Sequence, residues 1–177
     1  PSLVNRPFDR DRTGFLFSEG GAAFLVLEAQ EHARRRNAAA VAEITGFAET
    51  FDACSMMGMA PGGEEVERMI RLALDDAALR PEEIDYINAH GTGTVVNDET
   101  ESAVIEKVFG TRPAVNSTKS LIGHTIGAAG AIEAAVTSLS LKHQTTHVSR
   151  NIEHPVNGLN YVRAQKPREF RTALTQS

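Results

Sequence analysis

The stretch PAVNSTKSLIGHTIGAAGAIE, residues 113–133, decides how the rest of the chain is read. It opens as a short strand at Ala114-Val115, breaks at Asn116-Ser117 and presents Lys119 and His124 in a turn-rich segment. It then enters a helix through Gly127-Ala128-Ala129-Gly130. Small residues at a helix start allow close backbone approach, and a helix N-terminus favours negative charge. Lys119 and His124 are therefore placed to hold an anion or a polarised carbonyl. Upstream, Ile84-Asp85-Tyr86-Ile87-Asn88-Ala89 reads as a buried strand that ends on His90 and the turn Gly91-Thr92-Gly93-Thr94. Two strands thus deliver histidines at their carboxyl ends, where open α/β sheets collect ligands.

Working outward, Glu64 to Leu79 is the clearest amphipathic helix, with Val66, Met69, Ile70, Ala73, Leu74 and Ala77 at helical spacing before Pro81. Val96 to Phe109 is a second, with Asn97 or Asp98 as its cap. An Ala-rich helix runs to about Leu141, and short strands are expected near Val148, Ile152, Leu159 and Tyr161-Val162. Nearer the start, Gly14 to Glu28 reads as a strand buried on both faces. Ala29 to Arg36 reads as a short helix carrying a Glu31-Arg35 pair, and Ala40 to Glu49 as another strand. Thr50 to Gly63 is a loop whose methionines, Met56, Met57 and Met59, are expected to line an apolar contact or a partner surface. This alternation of strand and helix predicts an α/β protein with a partly parallel sheet.

A formal net charge of −5 and a pI near 5.7 argue against a nucleic-acid partner. No apolar run reaches the roughly 18 residues a membrane helix needs, and no charged leader with an apolar core opens the sequence. The single cysteine, Cys54, fits a reducing compartment, so a cytoplasmic location is expected. Its neighbours supply nothing that lowers a thiol pKa, and it reads as an unreactive loop residue.

Two imidazoles and an ammonium are suited to donating hydrogen bonds to a developing oxyanion, or to a carboxylate about to leave as carbon dioxide. His90, His124 and Lys119 are the candidate catalytic residues. Thr92 and Thr94 offer hydroxyls to an amide-bearing ligand or simply stabilise their turn. Asp98 and Glu101 lie three apart on one helix face; they either pair with Lys119 or cap the helix and meet solvent. No His-x-x-x-His helix or cysteine pair is present, so no metal site is expected. The Gly91 to Thr94 turn is neither a dinucleotide fingerprint nor a nucleotide cradle.

Asn88-Ala89-His90-Gly91-Thr92-Gly93-Thr94, Asn97-Asp98, Glu101, Ser117 to His124 and Gly127 to Glu133 together resemble the β-ketoacyl synthase family. Arg6-Pro7-Phe8-Asp9 and Ser18-Glu19-Gly20-Gly21 add near matches. The resemblance implies a thiolase-like layered α/β/α/β/α fold, of which residues 40–177 supply the C-terminal half and residues 1–39 the tail of the N-terminal half. It implies decarboxylative Claisen condensation of an acyl thioester with malonyl on acyl carrier protein, in fatty-acid or polyketide synthesis. By the same resemblance His90 and His124 assist decarboxylation and stabilise oxyanions, and Lys119 holds the charge pattern with Glu101 and Asp98. Thr92 and Thr94 contact the phosphopantetheine arm. No other cofactor is implied. Acyl carrier protein and a homodimer or ketosynthase heterodimer are the implied partners. The family's nucleophilic cysteine belongs to the half preceding Arg6, and its final glycine-rich loop is not found before Ser177. The chain is therefore expected not to condense anything alone. A non-catalytic partner resembling a chain-length factor is the alternative. A thiolase or chalcone-synthase relationship fits the Lys119-to-His124 motif poorly.

Overall fold

The first strand, β1 (Tyr86–Asn88), is buried at every position, and its side chains divide between two cores by simple alternation. Ile87 enters a cluster with Ile70, Leu74, Val104, Ile105 and Val115, while Tyr86 faces Ala114, Val162 and Phe170. The computed structural model describes residues 4–55, 59–165 and 169–177. Met56 and Met57, expected at an apolar contact, lie outside the described residues.

Five α-helices and four strands are described, with 3-10 turns at Pro81–Glu83 and Ile126–Ala128: α1 (Gln30–Arg35), α2 (Glu64–Asp76), β1, α3 (Val95–Phe109), β2 (Ala114–Asn116), α4 (Lys119–Ile122), α5 (Ala129–His143), β3 (Asn160–Tyr161) and β4 (Ala173–Thr175). The strands form one parallel sheet in the order β3-β2-β1-β4. Helices α2 and α3 put Ile70, Leu74, Val104 and Ile105 on the Ile87 face. Helix α5 lies on the opposite face, where Thr137 meets Asn88 and Leu141 packs on the Tyr86 cluster. This is the α/β layering that the alternation predicts.

Helix α2 stops short of Leu79 because its end closes on itself. Ala78 takes a left-handed φ of 52°, and the Leu79 and Ala78 amides bond back to Leu74 and Asp75 carbonyls. Helix α3 begins one residue early, with Thr94 at its cap position and no side-chain cap. Asn97 and Asp98 are thus inside the helix, and Asp98 is committed to the loops described below.

The strands expected over Gly14 to Glu28 and Ala40 to Glu49 do not form, and of the short strands expected near Val148, Ile152, Leu159 and Tyr161-Val162 only β3 does. Between Gly14 and Glu28 the only described pairing is a bridge from Phe17 to His124, and Phe24 and Val26 are 96% and 94% exposed. Residues 40–49 find no sheet partner among the described residues, leaving Ile44 and Phe47 exposed. The apolar pattern is present, but a strand needs a neighbour for its N–H and C=O groups. In α1 the carboxylate that binds the basic side chains is Glu28, which takes His32 and Arg36, in place of the expected Glu31-Arg35 pair. Strand β4, which borders β1, has no counterpart in the sequence reading.

Candidate functional site

Strands β1 and β2 are in register at Asn88 and Asn116. The chain leaves the same edge of the sheet at both points, so His90, two residues beyond one, and Lys119, three beyond the other, become neighbours. The turn after Asn88 needs its glycines. A Cβ on Gly91, whose φ is +43°, would lie 2.6 Å from Ser117 Cβ, and Gly93 at φ +88° would meet Asn5 Oδ1.

Lys119 is 1% exposed, and its ammonium contacts the equally buried Glu133 carboxylate on α5. On its other side it lies 3.3 Å from His90 Nδ1. An ammonium only donates, so Nδ1 is the acceptor and His90 carries its proton on Nε2. Burial first, then Lys119 and His124, push the His90 pKa down to about 3, and the ring is neutral at physiological pH.

His124 stands beside it, with ring centroids 5.5 Å apart and planes 85° from each other. The Ile126 amide donates to His124 Nδ1 at 3.1 Å, so this imidazole too presents Nε2–H. Its pKa is lowered by partial burial and by Lys119. The His124 backbone is pinned by Leu16 O and Ser18 N at 2.8 and 3.1 Å, and Phe15 packs edge-on against the ring. Two neutral imidazoles, each with Nδ1 occupied, are thus held side by side as Nε2–H donors, a set suited to developing negative charge on an oxygen.

The expected pairing of Lys119 with Glu101 and Asp98 is not what the structure shows. Glu101 accepts the backbone N–H groups of His90 and Gly91, one on each oxygen at 2.7 Å, together with the side chains of Asn97 and Gln176. Asp98 accepts the amides of Phe8 at 2.7 Å and Gly93 at 3.1 Å, with Arg12 at 3.7 Å. Both lie on the first turns of α3 and face inward, because the loop amides around His90 have no strand partner and must find acceptors. Burial raises the pKa of both carboxyls, that of Glu101 to about 7, against the pull of the donors that they accept. They hold the His90 turn, while Glu133 holds Lys119.

Thr92 and Thr94 are joined hydroxyl to hydroxyl at 2.9 Å, and the Thr94 amide donates to Thr92 Oγ1. Thr92 is buried and Thr94 half-buried. Cys54 is exposed, in a loop where Asp52 accepts its amide and that of Ala60. Gly127 has open space around its missing Cβ, so close approach does not explain that glycine. Among the described residues Asp9, Asp11 and His154 lie close enough together to be considered as metal ligands. The Asp9 carboxylate, however, is taken up by the amides of Asp11, Glu153 and His154.

Comparison with known proteins follows the same lines. The family described as "Beta-ketoacyl synthase, C-terminal domain" matches residues 41–153. The 3-oxoacyl acyl-carrier-protein synthase 2 of Coxiella burnetii is 43% identical over 161 residues, which are 89% of this chain and 39% of that protein. The solved ishigamide ketosynthase/chain length factor superposes with a TM-score of 0.91 at 40% identity, over 99% of this chain and 44% of that one. A type II polyketide synthase acyl-carrier protein in complex with its ketosynthase, bound to the hexaketide, gives 0.89 at 34%, over 97% and 43%. The chain therefore spans about two fifths of the length of these relatives.

Proposed function

Since this chain belongs to the β-ketoacyl synthase family and has the α/β fold of its thiolase-like members, we propose that it is the histidine-bearing half of a condensing enzyme. That enzyme joins an acyl thioester to a malonyl unit on acyl carrier protein, in fatty-acid or polyketide synthesis. The observation that carries this reading is the pair of neutral imidazoles, His90 and His124, each presenting Nε2–H beside the buried Lys119–Glu133 pair.

When malonyl thioester loses carbon dioxide, the electron pair of the breaking C–C bond moves onto the α-carbon and thioester oxygen. The Nε2–H donors of His90 and His124 stabilise that enolate oxygen, and their neutrality keeps them donors without protonating the carbanion. The carbanion then attacks the acyl carbonyl, and the acyl group's thiolate leaves. In this reading the nucleophilic cysteine is carried by a segment outside these residues, and Cys54 is not it. Thr92 and Thr94 border the pantetheine arm. Residues 1–39 belong with the nucleophile-bearing half and 40–177 form the histidine-bearing half. The exposed Phe24, Val26, Ile44 and Phe47 support contact with that further segment or with a second subunit, in a homodimer or a heterodimer. Phosphopantetheine arrives on the carrier protein, and no metal or other cofactor takes part. A free, exposed Cys54 agrees with a cytoplasmic setting. A buried ammonium with two half-buried imidazoles beside it gives a purely structural partner subunit no benefit that offsets the desolvation.

The test uses the complete protein with malonyl-carrier protein. His90→Ala is expected to depress decarboxylation far more than acyl loading onto the nucleophile. Equal loss of both contradicts the assignment.

A further inference from the structure

The segment from His147 to Arg150 backs the Lys119 turn. Asn116 Nδ2 donates to His147 O at 2.8 Å, the Ser117 amide to Ser149 Oγ at 3.2 Å and the Arg150 amide to Ser120 Oγ at 3.0 Å. The His147 side chain adds a contact of a different kind. Its Nδ1 is 3.0 Å from Val148 O, and a carbonyl only accepts, so the proton sits on Nδ1 and Nε2 is an acceptor. Nε2 lies 3.1 Å from Thr118 Oγ1. Burial lowers the His147 pKa, in keeping with a neutral ring.

The tautomer sets the direction of everything upstream. The Thr118 hydroxyl donates to His147 and its lone pairs are left for Asn88 Nδ2 at 3.0 Å. The same Asn88 amide nitrogen reaches Glu133 O at 3.3 Å and Thr137 Oγ1 at 3.2 Å. Lys119 follows Thr118 in the chain, so both members of the buried ion pair are tied, through backbone neighbours, to one carboxamide. His147 fixes which way that carboxamide points. If Nε2 is removed, the acceptor left to the Thr118 hydroxyl in this network is Asn88 Oδ1, at 3.2 Å, and the donor sequence reverses.

We propose that His147 is a positioning residue which, through Thr118 and Asn88, sets the placement of Lys119 against Glu133 and so of His90. This rests on the condensing-site reading above. His147 differs in tautomer from the two site histidines, being protonated on Nδ1 where they are protonated on Nε2.

The experiment is a double-mutant cycle in the complete protein, reading malonyl-thioester decarboxylation and, in parallel, long-range ¹⁵N–¹H spectra of the imidazoles. His147→Phe keeps a ring but removes the acceptor, and Thr118→Val removes the donor. Each is expected to lower kcat roughly tenfold, the scale of one buried hydrogen bond, with KM nearly unchanged. The double variant is expected to be no slower than either single one, and His147→Gln, which restores an acceptor, to recover most of the rate. The spectra are expected to show His147 protonated on Nδ1 and the His90 signals displaced in Thr118→Val. Additive losses in kcat, or variants that melt earlier yet turn over like the parent, overturn the proposal; so does a His147 protonated on Nε2. A parent protein that does not decarboxylate malonyl thioester sinks the condensing-site reading instead. The spectra then decide the relay alone, undisplaced His90 signals in Thr118→Val counting against it.

Discussion

Lys119 and Glu133 form an ion pair in the interior, each 1% exposed, and the same ammonium leans on His90 Nδ1. The pair thereby chooses the tautomer of the His90 imidazole: as long as Lys119 donates to Nδ1, the His90 proton is on Nε2. Charge placed outside the imidazole decides which nitrogen of His90 can donate.

Removing one partner leaves the other as an uncompensated buried charge. Glu133→Ala is expected to destabilise the protein by about 3–5 kcal/mol in denaturant unfolding. Lys119→Met combined with Glu133→Leu is expected to recover most of that stability with no recovery of decarboxylation. Recovery of both shows that the pair has no part in the chemistry.

His90 has its folded pKa, about 3, below the ordinary value of 6.5. Its contribution to stability is therefore complete above pH 6.5 and is lost as pH falls from there toward 3. Unfolding measured between pH 7 and 4 is expected to show a steeper acid loss in the parent than in His90→Gln. The His90 signals in an NMR titration are expected to stay those of a neutral ring down to pH 5. A His90 midpoint near 6.5 contradicts the buried, ammonium-flanked geometry.

Glu101 carries the opposite sign. Its pKa rises from 4.5 to about 7 on burial, so its contribution is complete below pH 4.5 and declines as pH rises through 7. Glu101→Gln keeps a hydrogen-bonding side chain and is expected to flatten the stability profile between pH 5 and 8. A protonated-carboxyl infrared band that fades around pH 7, and is missing from the variant, is the direct check.

Gly91→Ala is expected to cost at least about 1 kcal/mol and to displace His90, because a side chain at φ +43° is strained and its Cβ runs into Ser117. A melting temperature and a decarboxylation rate equal to the parent's exclude this account of the turn.

What was legible in the sequence was local. The apolar runs at Tyr86-Ile87 and Ala114-Val115 and the turns after them have signatures contained within a few residues, and β1 and β2 stand where those runs place them. The histidine-bearing turns follow from the same signals, whereas their common edge comes from register, which no single segment encodes. The Lys119–Glu133 partnership is not legible in the sequence because the two residues lie 14 positions apart on different helices. One signal was available: a lone carboxylate inside the apolar run AAGAIEAAV needs a buried partner. The places of Glu101 and Asp98 are not legible because each takes two backbone amides, which leave no trace in side-chain patterns, and distant side chains such as Gln176 and Arg12. Gly14 to Glu28 shows the converse, since apolar alternation states what a segment is able to bury and not whether a neighbour is there to bury it.

The order β3-β2-β1-β4 sets a timetable for synthesis. Strand β4 pairs with β1 across an interval of nearly ninety residues, joining Tyr86 to Ala173 and Asn88 to Thr175, and Gln176 then closes on Glu101. Emerging from the ribosome at about 5–20 residues per second, β1 waits several seconds with an open edge before its neighbour exists. Non-local parallel pairing of this kind folds slowly and leaves edges exposed to other chains. The histidine turn is therefore assembled late, and a nascent chain halted before residue 173 presents the unpaired N–H and C=O groups of the β1 edge to whatever chaperone or sister polypeptide meets it first.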